Sequence, residues 1–366
     1  MSMIQWPRIR QVKDVVVEMM RVEEAIWITS PSLQHQYPVL AKRSCFLVDS
    51  ADWDTLVALQ EWVYQNRSKW IIAFGGGKVL DLAKLAVRLG RLDEAGKAQL
   101  RKRKWITYNE SHPYRLTAIP STAGSGSEVS ETAVLTIDGQ KVPLHHASLL
   151  PNEVLLDEQI VATAPDRVLW NGIWDVFTHA LESYVSPLAT PASKRLSLDA
   201  IRNCKEHVDK LTSTRLEPAP ESKQSASSDL QWNSVLAGKA QSVASAGLIH
   251  ALAHQVEHRK QWHGEACGRI IASVTRFHMT KAEEKFHSIW QACGFEDAIE
   301  GIAWLEEKTK QTVGTFRPVD QMQMNREEML KRIQLDPCFR TNAAYISRQE
   351  LDTWLQTWWF TGEDQI

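Results

Sequence analysis

Apolar and polar positions follow one rhythm in the first part of this chain and another in the remainder. Early on, short apolar runs alternate with amphipathic stretches. Residues 25–29 (AIWIT), 45–49 (CFLVD), 70–74 (WIIAF), 116–119 and 154–157 are expected to be strands. Between the second and third, residues 55–66 carry Leu56, Val57, Leu59, Trp62 and Val63 at helical spacing. Strand–helix–strand alternation predicts a parallel sheet covered by helices. Beyond about residue 164 the strands disappear, and residues 171–185, 193–211, 230–259 and 348–360 read as helices. The expectation is an α/β domain over residues 1–160 and an all-α domain over residues 161–366, with the boundary between 157 and 165. Residues 212–229 (TSTRLEPAPESKQSASSD), rich in Ser, Pro and charge, read as a surface loop. Residues 101–104 (RKRK), the one basic cluster, read as a solvated helix end, with an anion site as the alternative.

Composition narrows the field. The chain has 366 residues, 43% hydrophobic and 23% charged, with a formal net charge of −2. That is an ordinary globular balance and long enough for two cores. With no overall positive charge, neither nucleic acid nor a membrane surface is an expected partner. The five cysteines, Cys45, Cys204, Cys267, Cys293 and Cys338, form no C-x-x-C pair. A reduced, cytoplasmic protein is expected, not a disulfide scaffold or a thiolate zinc site. The opening MSMIQWPRIRQVKD has no signal-like apolar core, and no apolar run approaches about 18 residues. Fifteen tryptophans stand against six tyrosines and nine phenylalanines, so either the cores or a pocket must be rich in large rings.

Three segments carry candidate chemistry. After WIIAF come Gly75, Gly76, Gly77 and Lys78, then the apolar VLDLAKLAV. Bare backbone at a helix N-terminus can cradle a pyrophosphate, although a tight strand-to-helix turn explains the glycines equally well. Residues 120–128 (PSTAGSGSE) follow the next strand and could wrap a polar ligand, in keeping with ligands lying outside the carboxyl ends of parallel strands. In the second part, Asp175 and His179 are four apart, as are His250 and His254, with His258 and His263 beyond. One carboxylate and three imidazoles suit a divalent iron or zinc ion, and structural pairing of each couple is the alternative.

Taken together these segments resemble the iron-containing (group III) alcohol dehydrogenase family, which shares a dehydroquinate synthase-like fold with glycerol dehydrogenase. GGGKVLDLAK is similar to the family's G-G-G-S-x-x-D-x-A-K, and AIPSTAGSGSEVSETAVLT to its I-P-T-T-A-G-T-G-S-E-V. NGIWDVFTHALESYVS resembles G-M-D-A-L-T-H-A-I-E-A-Y, and GLIHALAHQVEH with the later HG resembles G-x-x-H-x-x-x-H…H-G. The tail DPCFRTNAAYISRQEL is similar to D-x-x-x-x-x-N-P-R, with Ala343 in place of the proline.

The resemblance implies a Rossmann-like nucleotide-binding domain, a helical metal-binding domain, and a metal in the cleft between them. It implies Asp175, His179, His250 and His263 as ligands of Fe2+ or Zn2+, and His254 as the histidine that moves the alcohol proton. It implies Gly75, Gly76, Gly77 and Lys78 on the pyrophosphate of NAD(P)H, with Ser121, Thr122, Ser125 and Lys141 lining the cofactor. The activity implied is reduction of a small polar aldehyde or oxidation of the alcohol, by an enzyme of a kind that commonly forms homodimers. The wording HALES is reminiscent of phosphonoacetaldehyde reductases. A dehydroquinate synthase-like or glycerol dehydrogenase-like enzyme is the alternative, and a non-catalytic descendant a further one.

Three departures matter. Lys78 replaces the family's serine. Ser30 stands where an acidic residue would repel a 2′-phosphate, so NADPH is expected to be accepted. The interval from His250 to His263 is one residue shorter than the family's, which leaves His258 as a competing ligand. Of the tryptophans, Trp27, Trp62, Trp70, Trp354 and Trp358 are expected in the core or an interface. Trp170, Trp174 and Trp262 lie beside the ligand positions, and Trp174 or Trp262 is expected to line an aromatic pocket.

Overall fold

All five apolar runs become strands of one parallel sheet, because runs buried on both faces are stable only when helices cover them. The computed structural model describes residues 4–90, 92–101, 113–213, 220–256, 262–315 and 325–359. The chain divides into two units, Met1–Ala164 and Pro165–Ile366.

The first unit opens with β1 (Arg8–Gln11), α1 (Val15–Met19), β2 (Ile26–Thr29), α2 (Pro31–Gln36), β3 (Cys45–Leu47) and α3 (Trp53–Asn66). It continues with β4 (Trp70–Gly75), α4 (Gly77–Arg88), α5 (Glu94–Arg101) and β5 (Arg115–Pro120). A hairpin of β6 (Thr132–Ile137) and β7 (Gln140–His145), then β8 (Glu153–Leu156) and α6 (Glu158–Ala162), complete it. The sheet order is β1-β8-β5-β4-β2-β3, so β4 sits centrally with β2 on one side and β5 on the other. Phe74 is in register with Thr29 and Ile119, and Gly75 with Pro120. The carboxyl ends of three neighbouring strands thus lie together. Trp27, Phe74, Leu155 and Val15 are buried in one core cluster beneath them.

The second unit contains α7 (Asp166–Val185), α8 (Pro191–Ser213), α9 (Pro220–Ala244), α10 (Leu248–Val256) and α11 (His263–Ala292), followed by α12 (Ala298–Thr312), α13 (Arg326–Leu335) and α14 (Arg348–Trp354). No strand occurs among its described residues. No helix among the described residues is long and apolar enough to cross a membrane.

Two expectations need correction. The stretch 230–259 is not one helix: α9 ends at Ala244, Ser245 takes the left-handed conformation, and α10 starts at Leu248. The stretch 212–229 is not a continuous loop, since α8 runs through Ser213 and α9 begins at Pro220. Proline is well suited to a first helical position, where its missing N–H costs nothing. Residues 214–219 lie outside the described residues, as do His258 and Lys104. Arg101, from the basic cluster, closes α5 and pairs with Asp138 at 2.8 Å.

Candidate nucleotide loops and metal centre

The glycine turn owes its composition to crowding. Strand β4 ends at Gly75 and α4 begins at Gly77, a tight strand-to-helix turn made without a positive φ at any of the three glycines. A Cβ at Gly75 would stand 2.5 Å from Val79, one at Gly76 3.1 Å from the Thr122 hydroxyl, and one at Gly77 2.9 Å from the Ser125 hydroxyl. The glycines therefore let the loop after β4 press against the loop after β5, and the Ser121 N–H donates to the Gly75 carbonyl at 3.0 Å. Gly76 is the N-cap of α4 and supplies no side-chain cap; its carbonyl accepts from the Val79 N–H at 2.9 Å, so the amides open to an anionic group are those of Gly77 and Lys78. Lys78, in that first turn, is exposed. Ser30 caps α2 at the carboxyl end of neighbouring β2, its hydroxyl accepting from the Leu33 N–H. Lys141 lies exposed on β7, opposite Thr136.

A further lysine stabilises this pair of loops from beneath. Lys84, 1% exposed, donates to the Ser127 carbonyl at 2.9 Å and the Thr132 carbonyl at 2.6 Å. Asp81, one turn earlier on α4, accepts from the Val134 N–H at 2.9 Å and from the Ser127 hydroxyl. Burial pulls the Lys84 ammonium below its ordinary range, and the neighbouring Asp81 opposes that shift. Sequence reading passed over Lys84. Its signal was a cation in the second turn of an otherwise apolar helix.

In the second unit, α7 presents Arg167, Asn171, Asp175, His179 and Glu182 at intervals of four, four, four and three, a single helical stripe. Asp175 and His179 are buried on it. The Asp175 Oδ1 atom stands 3.7 Å from His179 Nδ1, 3.8 Å from His250 Nε2 and 3.8 Å from His263 Nε2. The His179 and His250 rings stack at 4.4 Å, and those of His250 and His263 lie 5.2 Å apart. Asp175 Oδ1, His179 Nδ1 and His250 Nε2 are all buried with no hydrogen-bond partner. Leaving three such groups unpaired is costly unless a cation satisfies them. Separations of 3.7–3.8 Å are too long for hydrogen bonds. They are near those of donors sharing one ion through bonds of about 2.1 Å. The donor set fits a divalent metal.

Electrostatics point the same way. Burial pushes the Asp175 carboxyl up, but the three imidazoles hold it well below the usual carboxylate range. Burial lowers His179 to about 4. His250 is also disfavoured by burial, yet lies between Asp175 and Glu182 and is raised to about 9. Two carboxylates close to stacked imidazoles create a strong demand for positive charge.

Glu182 braces the centre and escaped sequence reading. Its carboxylate accepts from His250 Nδ1 at 2.6 Å and from the Gly247 and Ile249 amides at 2.8 and 2.6 Å. It thus orients His250 and caps the start of α10 with one group. A Cβ at Gly247 would fall 2.8 Å from Glu182, which explains the glycine. Position 182 falls seven residues after Asp175, on the same helical face. That spacing was the available signal.

The start of α11 is fixed by the same stripe. The Asn171 side chain accepts from the Gly264 N–H at 2.9 Å, and Arg167 forms a two-pronged ion pair with Glu265. A Cβ at Gly264 would come within 1.9 Å of the Asn171 carbonyl oxygen. Gly264→Ala should therefore displace His263 and destabilise the fold by about 3 kcal/mol. Thermal unfolding checks this; an unchanged transition would disprove the close approach.

His254 is half-buried, its Nδ1 2.9 Å from Asp336 Oδ2, with its ring 5.3 Å from that of His263. Cys267, also unanticipated, places its Sγ 3.8 Å from His263 Nε2. Trp174 does not line a pocket. It is fully buried, donates from Nε1 to the Thr312 hydroxyl at 2.8 Å, and packs on Phe177 and Trp304. One helix cannot aim adjacent residues at the same point, so Asp175 facing α10 sends Trp174 into the core. Trp262 is 37% exposed, beneath the Arg167 guanidinium at 4.8 Å.

A pair of glycine- and hydroxyl-rich loops at the end of a parallel sheet, followed by a helical unit with a buried carboxylate–imidazole centre, defines a recognisable class. The family model for iron-containing alcohol dehydrogenase matches residues 49–158, and that for the C-terminal part of the Fe-containing alcohol dehydrogenase family matches residues 171–357. The chain belongs to the iron-containing alcohol dehydrogenase family. It is 32% identical over 225 residues to the probable alcohol dehydrogenase EutG of Escherichia coli (strain K12), covering 61% of this chain and 54% of that protein. The chain thus matches about half the length of this curated relative. Among solved structures, an iron-containing alcohol dehydrogenase from Thermococcus thioreducens superposes with a TM-score of 0.82 at 21% identity, covering 98% of this chain and 100% of that one. Sulfoacetaldehyde reductase from Bifidobacterium kashiwanohense, solved in complex with NAD+, gives 0.79 at 21%, covering 98% of both chains. These likenesses establish the fold, an α/β unit followed by a helical one.

Proposed function

We propose that this chain is a metal-dependent, NAD(P)H-linked reductase of small polar aldehydes, working reversibly as an alcohol dehydrogenase. One observation carries the reading: three buried donor atoms without partners, on Asp175, His179 and His250, converge beside His263. Those four residues would hold a ferrous or zinc ion, which when bound supplies Lewis-acid polarisation of the substrate oxygen. The nicotinamide supplies the hydride.

The chain's own residues do the rest. The Gly75–Gly76–Gly77 backbone and the first amides of α4 take the pyrophosphate charge, with exposed Lys78 adding a cation and Ser121, Thr122 and Ser125 adding hydroxyl groups. Lys141, exposed on β7, would add a second cation toward the cofactor. Asp336 accepts the Nδ1 hydrogen bond of His254, so Nε2 is the nitrogen that holds or passes the alcohol proton. A two-carbon aldehyde bearing a phosphonate or sulfonate falls within this polar-aldehyde reading. The name of the sulfoacetaldehyde reductase with the same fold supports including such compounds.

The test follows NADPH and NADH absorbance against a panel of small aldehydes, including phosphonoacetaldehyde and sulfoacetaldehyde, with and without added ferrous or zinc ion. Turnover that needs metal is the expected result; a metal-loaded protein with no turnover on any aldehyde would sink the reading. NADPH should be used at least as well as NADH, because Ser30 leaves the end of β2 without a carboxylate. Ser30→Asp should then shift the ratio of specificity constants toward NADH by about tenfold, a single like-charge repulsion being worth 1–2 kcal/mol. A wild-type preference for NADH above tenfold would refute this.

A further inference from the structure

Four donor atoms, from Asp175, His250, His263 and Cys267, all lie within 4.8 Å of one another. The fourth is a sulfur. Cys267 is fully buried, one turn after His263 on α11, so both side chains emerge on one face of that helix. Its Sγ is 3.8 Å from His263 Nε2. A buried cysteine is usually a small packing residue. Here a carboxylate oxygen of Asp175 and ring nitrogens of His250 and His263 lie within 4.8 Å of it, and Asp175 Oδ1 and His250 Nε2 are buried atoms with no hydrogen-bond partner.

We infer that Cys267 is a metal donor, adding a sulfur to the carboxylate–imidazole centre. This rests on the reading that the centre holds a divalent cation. On binding, the thiol proton leaves to solvent as the sulfur–metal bond forms, with no change of oxidation state. A thiolate is a soft donor and favours zinc or cobalt over ferrous ion, so this sequence carries a softer site than one carboxylate and three imidazoles provide. The i, i+4 spacing of His263 and Cys267 parallels that of Asp175 and His179 on α7. Two helices thus each supply a donor pair to one point.

Cobalt(II) substitution of the full-length protein tests the inference without relying on turnover. The protein is stripped with a chelator, reloaded with cobalt, and its visible and near-ultraviolet absorption recorded. Visible ligand-field bands should appear together with a near-ultraviolet sulfur-to-cobalt charge-transfer band. Cys267→Ser and Cys267→Ala should each keep the ligand-field bands and lose the charge-transfer band. Zinc affinity of Cys267→Ser should fall by about tenfold, with ferrous affinity changing less than about threefold. Cys338→Ser serves as the control, because Cys338 groups with His254 and Asp336 instead.

Ligand-field bands without charge transfer in the wild type would overturn the sulfur assignment and leave the metal reading standing. Charge transfer that survives in Cys267→Ser and Cys267→Ala would likewise overturn it. No cobalt retention at all would overturn both. Should the serine variant fail to fold, the alanine variant and the wild-type spectrum still decide the question.

Discussion

Asp175→Asn should leave a folded protein that no longer retains metal, with kcat/KM for aldehyde reduction lowered at least about a thousandfold. The amide has the carboxylate's shape but not its charge, so packing at this buried position is preserved. Electrostatics are not. One carboxylate oxygen lies 3.7–3.8 Å from three imidazole nitrogens, and it is the shared point of the centre. A thousandfold loss corresponds to about 4 kcal/mol, the scale expected when Lewis-acid assistance is removed. Metal analysis after gel filtration and NADPH consumption with a chosen aldehyde together check it. An asparagine variant that keeps stoichiometric metal would show that Asp175 is not a ligand.

A large effect is also expected away from the centre, at His278. This imidazole is 2% exposed, its Nε2 has no hydrogen-bond partner, and its ring lies between Phe277 and Phe286. Burial lowers it to about 4, assisted by Lys281 and Lys285 and opposed by Glu182. The folded state therefore keeps the ring neutral, whereas the unfolded chain takes up a proton near pH 6.5. Stability from this group is complete above about pH 6.5 and is lost as pH falls toward about 4, on the order of 3 kcal/mol in all. Urea unfolding at pH 7.5 and pH 5 measures it. The pH dependence of wild type should exceed that of His278→Leu; parallel curves for the two proteins would refute the assignment.

The strands of the sheet were legible because residues buried on both faces leave continuous apolar runs such as WIIAF. Strand β1, RIRQ, leaves none. It lies at the sheet edge with two of its four residues exposed, and pairing with β8 defines it. The break between α9 and α10 was hidden for a related reason. Apolar periodicity runs through ASAGLIHAL without interruption, and it is Glu182, some 65 residues earlier, that captures the Gly247 amide and starts a new helix there. At the centre, Asp175, His179 and His250 could be found from spacing because each pair falls within one helix. Glu182 and Cys267 could not be ranked the same way. A glutamate in a helix and a cysteine in an apolar stretch are common, and only the approach of α7, α10 and α11 gives them chemistry. Tryptophan count misled for Trp174, since adjacency in sequence to a ligand places a helical residue about 100° away around the axis.

The stripe Arg167, Asn171, Asp175, His179 and Glu182 has a consequence for how this protein tolerates change. Five contacts that cap one neighbouring helix, start another and gather the buried donors are all indexed to the rotation of a single element. One inserted or deleted residue between positions 167 and 182 would turn part of that stripe by about 100° and set its halves on different faces. Lengthening the chain by one residue there removes the centre at a stroke, whereas single substitutions in the same helix remove one contact at a time. The interval 167–182 is therefore a segment whose length the fold fixes, while its side chains can change one at a time.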